Sequence, residues 1–468
     1  MSRQSPERTA QSYGGNIALI PWGLLFEEYL DPLDLSLEQF RTQVTDGWLF
    51  NYVKALATVG IDTTLFIVTN SVLAPVRSVH KPTGCGFVAI PAPLGLRAVH
   101  QARRAKRVIT RRGRLNIGRG MIAAEADTSG PAREQFLRNN FSVRLPSWAR
   151  RRLFPAQLLA SEIRRAGCNG ILCQEYEDER FEVCVKIGER LGIPTFGVFQ
   201  GGTPAASNPP ARARATAIRN CSGLIISSGS EAARVQATYG VPDARMARVP
   251  NPVSIFRTAV PPRDEVRKNI GINPNARVAV WHGRVMRWKK GLDILISAWR
   301  RIGESPQLLQ LLLVGAGADS AWLRKEIEPE MESGSIRWID RFVADRDELS
   351  AYLSAGDVYV FPSRDEGFPV APLEAMSLGL PVISGGAQGM DEILEIPERD
   401  GGLKVTGTSP TEWSSTLIEL LMDPSRSIAL GESARQRVQS HFSVESIGGS
   451  LGAWLRASGL SDGSRKGR

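Results

Sequence analysis

One stretch, residues 358–384, limits the folds that this chain of 468 residues can adopt. It begins with an apolar run, Val358 to Phe361, whose length and composition predict a buried strand. A polar turn follows, and Pro372 suits the first turn of a helix because its φ is fixed and it has no N–H to leave unpaired. After Gly379, Leu380 to Ser384 predicts the next strand. The order strand, loop, helix, strand is typical of a parallel α/β sheet.

The turn in this stretch is also the first candidate for a ligand site. In parallel α/β sheets, ligands bind beyond the carboxyl ends of the strands, where helix N-termini offer free N–H groups. Two carboxylates flank that position, Glu366 in the turn and Glu374 in the first turn of the helix. An acidic residue in a first helical turn is often only a complement to the helix dipole, so neither glutamate identifies a site by itself.

Similar alternation of apolar runs and helical segments continues through both halves of the chain. The chain of 468 residues is longer than one hydrophobic core usually supports, so it predicts two domains. The linker between them is predicted at residues 251–274, which contain prolines. We expect two facing, Rossmann-like, doubly wound α/β domains with a cleft between them, over residues 16–255 and 256–440. Residues 1–15 and 458–468 are expected to be disordered tails.

Cysteine usage and hydropathy indicate a soluble protein of a reducing compartment. The five cysteines have no C-x-x-C spacing. Cys168 and Cys173 are close in sequence, but no second pair of ligands matches them, so we expect neither a metal nor a cofactor. No signal peptide is visible at the N-terminus, and no apolar run reaches the roughly 18 residues that span a bilayer. We therefore expect a cytoplasmic location.

Basic residues concentrate in one segment, which we call the basic insertion (residues 97–152). From Arg97 to Arg165 there are 17 Lys or Arg and 4 Asp or Glu. Three interpretations fit the segment. It is a solvated helical insertion on the surface, a patch that binds an anionic acceptor or the inner face of a membrane, or a nucleic-acid site. Nucleic acid is the least expected partner, because no nucleic-acid module is present and aromatic residues are sparse.

Four loops of the second half are expected to meet at the carboxyl edge of its sheet. They follow predicted strands that end at Trp281, Val314, Phe361 and Ile383. Arg284 and Lys290, in the first loop, can hold a diphosphate from two sides, since arginine offers a fork of donors and lysine a point charge. The carboxylates of Glu366 and Glu374 suit sugar hydroxyls. Together the four side chains indicate a site for a nucleotide diphosphate that carries a sugar.

In this order, these residues resemble the signature of the retaining nucleotide-sugar glycosyltransferases of family four, whose two facing Rossmann-like domains form the GT-B fold. The motifs that carry the resemblance are Gly283-Arg284 with Lys290-Gly291, Phe361-Pro-Ser363, Glu366-Gly-Phe368 and Leu373-Glu-Ala375. The resemblance is close over residues 278–405. Over residues 16–251 it is a likeness of pattern, through Ser228–Glu231 and Val249–Asn251.

What the resemblance implies is an N-terminal acceptor domain, a C-terminal donor domain, and a C-terminal helix (residues 441–457) that crosses back to the first domain near Trp454. It implies transfer of a sugar, with retention of its anomeric configuration, to a glycan, a lipid-linked or a small-molecule acceptor in polysaccharide or glycolipid synthesis. Arg284 and Lys290 would neutralise the leaving diphosphate in place of a metal, and Glu366 would contact the donor sugar; these three are the expected catalytic residues.

Further donor contacts also follow from the resemblance. Glu374 would hold the ribose hydroxyls, and the remaining donor-binding positions are Gly283, Lys289, Gly315, Gly367, Phe368, Pro369 and Val370. One extra residue separates Arg284 from Lys290 relative to the usual spacing, so Lys289 is an alternative to Lys290 as the diphosphate ligand.

On the acceptor side the sequence departs from the family. Many members carry a histidine where this chain has Gln200, which can position a substrate by hydrogen bonds but cannot act as a base. Gln200, Gly201 and Gly202 are the expected acceptor or cleft residues. The acidic cluster Glu175 to Glu179 is either a solvated helix start or an acceptor-binding edge. A GT-B epimerase or phosphorylase, or a catalytically silent carbohydrate-binding regulator, remains an alternative function.

Overall fold

Two mostly parallel sheets organise the computed structural model, which describes residues 15–21, 23, 25–30, 35–44, 47–98, 100–101, 151–199, 212–256, 261–303 and 308–461. The first sheet has eight strands in the order β3-β4-β2-β1-β5-β6-β7-β8. They are β1 (Asn16–Ile20), β2 (Asp62–Thr69), β3 (Val76–Val79), β4 (Gly86–Pro91), β5 (Gly170–Gln174), β6 (Thr195–Val198), β7 (Gly223–Ile225) and β8 (Met246–Ala247).

The second sheet has six strands in the order β11-β10-β9-β12-β13-β14, and all of its neighbours are parallel. They are β9 (Arg277–His282), β10 (Leu309–Val314), β11 (Ile336–Ile339), β12 (Val358–Phe361), β13 (Val382–Ser384) and β14 (Gly402–Lys404). The central strands are continuous apolar runs because helices cover both faces of the sheet.

Helices of the first domain flank its sheet. Those described are α1 (Glu27–Leu30), α2 (Leu37–Gln43), α3 (Trp48–Ala57), α4 (Ala156–Arg165), α5 (Glu179–Leu191), α6 (Arg212–Asn220) and α7 (Gly229–Tyr239). The second domain contributes a further set. These are α8 (Arg263–Asn269), α9 (Leu292–Ile302), α10 (Ser320–Glu326), α11 (Glu328–Glu332), α12 (Arg346–Ser354), α13 (Ala371–Ser377), α14 (Met390–Ile393), α15 (Pro410–Leu421), α16 (Pro424–His441) and α17 (Val444–Ala457).

The unit β12–α13–β13 has the predicted order of elements. All four residues of β12 are buried, and Tyr359 of β12 lies opposite Val280 of β9. Helix α13 has Pro372 in its first turn, where its missing N–H costs no hydrogen bond. The carboxyl end of β12 and the N-terminus of α13 therefore lie at the same edge of the sheet, as the candidate site requires.

Strand β3 was not predicted. It pairs antiparallel with β4 at the edge of an otherwise parallel sheet. Its sequence, Val76-Arg-Ser-Val79, has no buried residue, so it lacks the apolar run by which the other strands were found.

Helix α17 packs on the first domain although it is the last helix of the chain. Its Ile447, Leu451 and Leu455 belong to the same hydrophobic core as residues of α3 and β1. Two glycines let the helices approach: a Cβ on Gly448 would lie 2.4 Å from the carbonyl oxygen of Ala55, and one on Gly452 would meet Val59 at 2.7 Å. The first domain thus completes its core with residues from the C-terminal end of the sequence.

The chain is folded beyond the point where the second tail was expected to begin. Leu460 is buried in the core of the first domain, and the carbonyl of Ser461 accepts a hydrogen bond from Asn169. The tail expected over 458–468 is therefore wrong for residues 458–461, because the apolar side chain of Leu460 fills a space beside Gly170. Residues 1–14 and 462–468 lie outside the described residues.

Most of the basic insertion, residues 102–150, also lies outside the described residues. At its two ends, Arg97 donates hydrogen bonds to the carbonyls of Ala92 and Val72, and Arg151 pairs with Glu182 at 2.6 Å. Among the helices that the structure describes, none combines the length and the apolar character needed to cross a membrane.

Candidate functional site

Two glycine-containing loops meet in backbone contact at the carboxyl edge of the second sheet. They follow β9 and β10. A Cβ on Gly315, where φ is +133°, would lie 2.0 Å from the carbonyl oxygen of Gly283, and a Cβ on Gly317 would lie 2.3 Å from that of Val285. No side chain fits at these positions, so the glycines allow the two loops to hold each other in place. The backbone around Arg284 is fixed as a result.

Arg284 is exposed at this edge and lies within electrostatic reach of Tyr29 in the first domain. Burial raises the pKa of the Tyr29 hydroxyl to about 12, and the positive charge of Arg284 opposes that rise. Arg284 of the second domain therefore lies close enough to the first domain for its charge to act on Tyr29.

Lys290 and Glu366 form the tightest contact of the site. Lys290 Nζ lies 2.5 Å from Glu366 Oε1, and the two side chains are only 20% and 12% exposed. A second, more exposed pair runs beside it, with Lys289 Nζ 3.1 Å from Asp365 Oδ2. Of the two lysines predicted as alternatives, Lys290 is thus the one that contacts Glu366. We call the Lys290–Glu366 contact the site ion pair.

Arg364 holds the loop of Glu366 against the start of α9. Its guanidinium donates to both carboxylate oxygens of Asp293, at 2.7 and 2.9 Å, and also to the carbonyl of Trp288 at 2.8 Å. Its backbone N–H donates to the carbonyl of Lys289 at 3.0 Å. A two-pronged contact of this kind fixes orientation as well as distance, so the loops that carry the site ion pair are clamped together.

The remaining predicted donor-loop residues differ in accessibility. Gly367, Phe368 and Pro369 are buried, whereas Val370 is half-buried and precedes α13. The ring of Phe368 packs on Phe442 with centroids 6.0 Å apart, and its carbonyl accepts a hydrogen bond from the Asn251 side chain at 3.4 Å. Phe368 therefore has a packing role that sequence reasoning did not assign to it.

Glu374 is buried beneath the site between two cationic or polar partners. Its Oε1 accepts a hydrogen bond from Arg346 at 2.6 Å, and its Oε2 accepts one from Nε2 of His282 at 2.9 Å. Burial by itself would raise the pKa of this carboxyl group, but Arg346, followed by His282, lowers it to about 2. Glu374 is therefore a carboxylate at neutral pH. Both of its oxygens already accept a hydrogen bond within the protein.

Three buried polar atoms at the same edge have no hydrogen-bond partner in the part of the chain that the structure describes. They are His282 Nδ1, Ser363 Oγ and Ser384 Oγ, and their side chains are between 0 and 8% exposed. They follow or end β9, β12 and β13, which are adjacent strands. An unpaired buried polar group costs free energy unless something pairs with it, so these atoms are expected to face bound water or a polar ligand.

The acidic cluster of the first domain lies at the start of α5, where the side chain of Asp178 accepts a hydrogen bond from the N–H of Arg180. Glu177 and Glu179 are each 8% exposed. Glu177 accepts hydrogen bonds from Arg234 at 2.6 Å and from the Tyr239 hydroxyl at 2.8 Å, and it also pairs with Arg214 at 3.3 Å. The expected helix start is therefore confirmed at Asp178, whereas the expected solvation is wrong for Glu177, because arginines and a tyrosine distant in the sequence neutralise and cover it.

Gln200, Gly201 and Gly202, the residues predicted for the acceptor, lie outside the described residues. All five cysteines are buried and free. In the described ranges, no group of three or more His, Cys, Asp and Glu side chains is arranged to hold a metal ion.

Polar contacts join the two domains next to the site. The side chain of Gln388 donates to Ser228 Oγ at 2.9 Å, and Glu392 Oε1 accepts a hydrogen bond from the backbone N–H of Gly229 at 2.7 Å. Ser228 also caps α7, since its hydroxyl accepts from the N–H of Glu231. Sequence reasoning missed His282, Arg346 and Glu392 as functional residues, since their partners are far away along the chain.

Comparison with known families places most of the second domain in one of them. Residues 276–423 match the family described as "Glycosyl transferases group 1". This range includes every residue of the site ion pair, the Arg364 clamp and the Glu374 cluster.

Curated relatives share part of the sequence. A D-inositol 3-phosphate glycosyltransferase of Thermobispora bispora is 30% identical over 223 residues, which cover 45% of this chain and 50% of the relative. A GDP-mannose-dependent monoacylated alpha-(1-6)-phosphatidylinositol monomannoside mannosyltransferase of Corynebacterium glutamicum is 30% identical over 210 residues, which cover 43% and 53% of the two chains. The chain thus spans about half the length of the curated relatives it matches.

Solved structures resemble the whole described fold. Sucrose-phosphate synthase from Thermosynechococcus elongatus superposes with a TM-score of 0.61 at 19% identity, covering 95% of this chain and 98% of that chain. HepE from Anabaena, solved in complex with UDP, gives a TM-score of 0.59 at 15% identity and covers 94% and 100% of the two chains. At these identities the likeness concerns the fold, and it confirms the predicted pair of facing Rossmann-like domains.

Proposed function

Given that the chain has a group 1 glycosyl transferase domain within a GT-B fold, which confirms its resemblance to family four, we propose that it transfers a sugar from a nucleotide-diphosphate sugar to an acceptor with retention of anomeric configuration. The acceptor is a glycan, a lipid-linked sugar or a small molecule that enters from the first domain. The proposal places the protein in polysaccharide or glycolipid synthesis.

The observation that carries this proposal is the site ion pair, at an edge of the sheet where three buried polar atoms have no partner among the described residues. A cation and a carboxylate lie 2.5 Å apart, and exposed Arg284 belongs to the same loop as Lys290. Cations bind the oxygens of a diphosphate, and carboxylates accept hydrogen bonds from sugar hydroxyls. A ligand that contains both groups side by side, such as a nucleotide-diphosphate sugar, satisfies both partners at once.

For the reaction we propose attack on the same face of the sugar from which the diphosphate departs. The bond between C1 of the sugar and the phosphate oxygen breaks, and a bond from C1 to the acceptor oxygen forms. The acceptor proton passes to the departing phosphate, so no protein base is needed. Arg284 and Lys290 would stabilise the negative charge that develops on the diphosphate, a contribution that preorganised cations make effectively, and a metal is then not required.

Glu366 and Glu374 would have separate roles in this reaction. Glu366 would accept hydrogen bonds from the donor sugar. Glu374 would bind the ribose hydroxyls through lone pairs that remain on its oxygens, because a carboxylate accepts about four hydrogen bonds and Arg346 and His282 account for two. The low pKa of Glu374, about 2, supports an acceptor role for it and argues against a role as a proton donor.

We also propose a cytoplasmic protein that associates peripherally with the inner face of a membrane through the basic insertion. The names of the two curated relatives describe acceptors built on inositol phosphate. This supports a polyhydroxylated, anionic or lipid-linked acceptor for the present chain. The basic insertion, which belongs to the acceptor domain, would attract both such an acceptor and an anionic lipid surface.

Donor activity is tested with the purified protein and a panel of UDP-, GDP- and ADP-sugars, by measuring release of the nucleoside diphosphate with and without candidate acceptors. We expect one donor class to be turned over, and Glu366→Ala to abolish turnover. Glu419→Ala, which removes an exposed carboxylate on α15, is the matched control and should retain it. Near-normal turnover by Glu366→Ala would contradict the assignment of the donor site.

Two further assays separate the alternatives. An epimerase would convert the nucleotide sugar without any acceptor, and a phosphorylase would need inorganic phosphate as the co-substrate. For the membrane proposal, co-sedimentation with vesicles of neutral lipid, and with vesicles containing anionic lipid, should show retention only on the anionic ones. Equal binding to both, or binding to neither, would exclude the proposed electrostatic association.

A further inference from the structure

The proposed reaction does not explain why Lys290 and Glu366 contact each other. Lys290 is assigned to the diphosphate and Glu366 to the sugar, yet the two side chains contact each other at 2.5 Å. For the donor to bind as proposed, the ammonium of Lys290 has to share its three N–H donors between Glu366 and the diphosphate, while Glu366 gains hydrogen bonds from the sugar.

Resting on the proposed function, we propose that the site ion pair selects for the intact donor over the nucleoside diphosphate alone. Lys290 and Glu366 hold each other until a ligand provides a partner for both. A nucleotide-diphosphate sugar provides phosphate oxygens for Lys290 and hydroxyl groups for Glu366. A nucleoside diphosphate provides only the first: it competes with Glu366 for Lys290 and offers that carboxylate no hydrogen-bond donor in return.

Burial makes the unpaired state of Glu366 unfavourable. Its side chain is 12% exposed and that of Lys290 is 20% exposed, so water solvates neither charge well. Removing one member of a poorly solvated ion pair is costlier than the pair itself is stabilising, because the remaining charge lacks a partner. A diphosphate at Lys290 would also place negative charge beside the carboxylate of Glu366.

The two loops cannot readily move apart, so loop movement does not relieve the cost of leaving Glu366 unpaired. The loop of Glu366 is held to the loop of Lys290 by the fork from Arg364 to Asp293 and by the backbone hydrogen bond from Arg364 to Lys289. The outer pair, Lys289 with Asp365, bridges the same two loops at 3.1 Å. The carboxylate of Glu366 is therefore kept close to Lys290, and hence close to any diphosphate that binds Lys290.

The same arrangement has a consequence for the end of the reaction. Transfer removes the sugar from the donor and leaves a nucleoside diphosphate in the site. Glu366 then loses its hydroxyl partners and competes with the diphosphate for Lys290. The site ion pair re-forms as the product leaves, so the contact that weakens binding of the nucleoside diphosphate also favours its release.

The test is a calorimetric titration of the purified protein of 468 residues with UDP, GDP and ADP, and with a sugar conjugate of each, in the absence of acceptor. Glu366→Gln keeps the size of the side chain but removes its charge. We expect this variant to bind the preferred nucleoside diphosphate about tenfold more tightly than the wild type, and the sugar conjugate no more tightly. Glu419→Gln, which neutralises an exposed carboxylate on α15, is the control and should change either affinity less than about twofold.

An unchanged or weaker affinity of Glu366→Gln for the nucleoside diphosphate would overturn this inference and leave the proposed function intact. Failure of every nucleotide and nucleotide sugar to bind the wild type and the variant would overturn both. Circular dichroism checks that the variant is folded. If Glu366→Gln does not fold, Glu366→Asp replaces it, because a shorter carboxylate contacts Lys290 less closely and should raise the affinity for the nucleoside diphosphate by a smaller factor.

Discussion

Gly291 and Pro362 approach each other so closely that a Cβ on residue 291 would lie 1.9 Å from the carbonyl oxygen of Pro362. Gly291 follows Lys290 directly and precedes α9, while Pro362 leads into the loop of Glu366. This backbone contact, together with the Arg364 clamp, sets the distance between the two loops that carry the site ion pair.

We therefore expect Gly291→Ala to lower the free energy of unfolding by about 3 kcal/mol or more, since the backbone has to shift as well as adopt an unfavourable φ. Gly192→Ala is the matched control: Gly192 has φ +66° against +62° for Gly291, and its Cβ would meet no atom within 4 Å. Gly192→Ala should lower the free energy of unfolding by about 1 kcal/mol. Urea unfolding measures both values, and equal losses would show that the contact with Pro362 is unimportant.

Arg346→Met should destabilise the protein by about 3 kcal/mol at pH 7, because Glu374 would remain buried without its strongest cationic partner. The exposed Arg341, which pairs with Glu348, gives the control: Arg341→Met should cost less than about 1 kcal/mol. A loss from Arg346→Met no larger than that of the control would contradict the proposed importance of the buried pair.

Stability of the wild type should also depend on pH through Glu374. Its pKa is lowered from 4.5 to about 2 on folding, so its contribution is complete above about pH 4.5 and is lost as the pH falls through 2. In Arg346→Met this contribution is largely absent, and the difference in unfolding free energy between the two proteins should shrink as the pH falls below about 4.5. A difference that stays constant between pH 7 and pH 3 would contradict this assignment.

Ser384→Ala should weaken binding of the donor and leave stability nearly unchanged. Ser384 Oγ is buried and, among the described residues, has no partner, so removing the hydroxyl breaks no internal hydrogen bond. Ser377 is the control, because its hydroxyl donates to the carbonyl of Glu374 at 2.7 Å. Ser377→Ala should cost about 1 kcal/mol of stability with donor affinity retained. Unfolding in urea and calorimetry with the donor distinguish the two patterns; a large stability loss in Ser384→Ala would be the contrary result.

Glu392→Gln should loosen the contact between the domains. The Glu392 carboxylate accepts a hydrogen bond from the N–H of Gly229 at the N-terminus of α7, where the helix dipole favours a negative charge. We expect a loss of about 0.5–1 kcal/mol of stability at low ionic strength and a larger radius of gyration by small-angle scattering. Glu432→Gln, an exposed change on α16, should alter neither. An unchanged radius in Glu392→Gln would show that other contacts hold the domains.

Local sequence patterns predict the parts of the fold that depend on neighbours along the chain. The strand Val358–Phe361 and the helix after it were recognisable, because a strand buried on both faces is an uninterrupted apolar run and Pro372 marks a helix start. The edge strand β3 was missed because its side chains are exposed. The glycines at 283, 291 and 315 marked tight turns in the sequence, but only the structure shows which backbone atoms they admit.

Local sequence patterns do not reveal contacts between residues that are distant in the sequence. Glu177 was taken as a solvated residue or an acceptor contact, yet Arg214, Arg234 and Tyr239 cover it from 37 to 62 positions away. His282 lies 92 positions from Glu374. A sequence motif shows that a carboxylate is present, but the charge that determines its ionisation is placed by the fold.

The return of α17 to the first domain has a consequence for how the protein is made. Ile447, Leu451 and Leu455 fill a core whose other members lie in the first half of the sequence. During synthesis that core cannot be completed before helix Val444–Ala457 has left the ribosome. The first domain is therefore expected to remain partly open until then, and to be less stable when produced without α17.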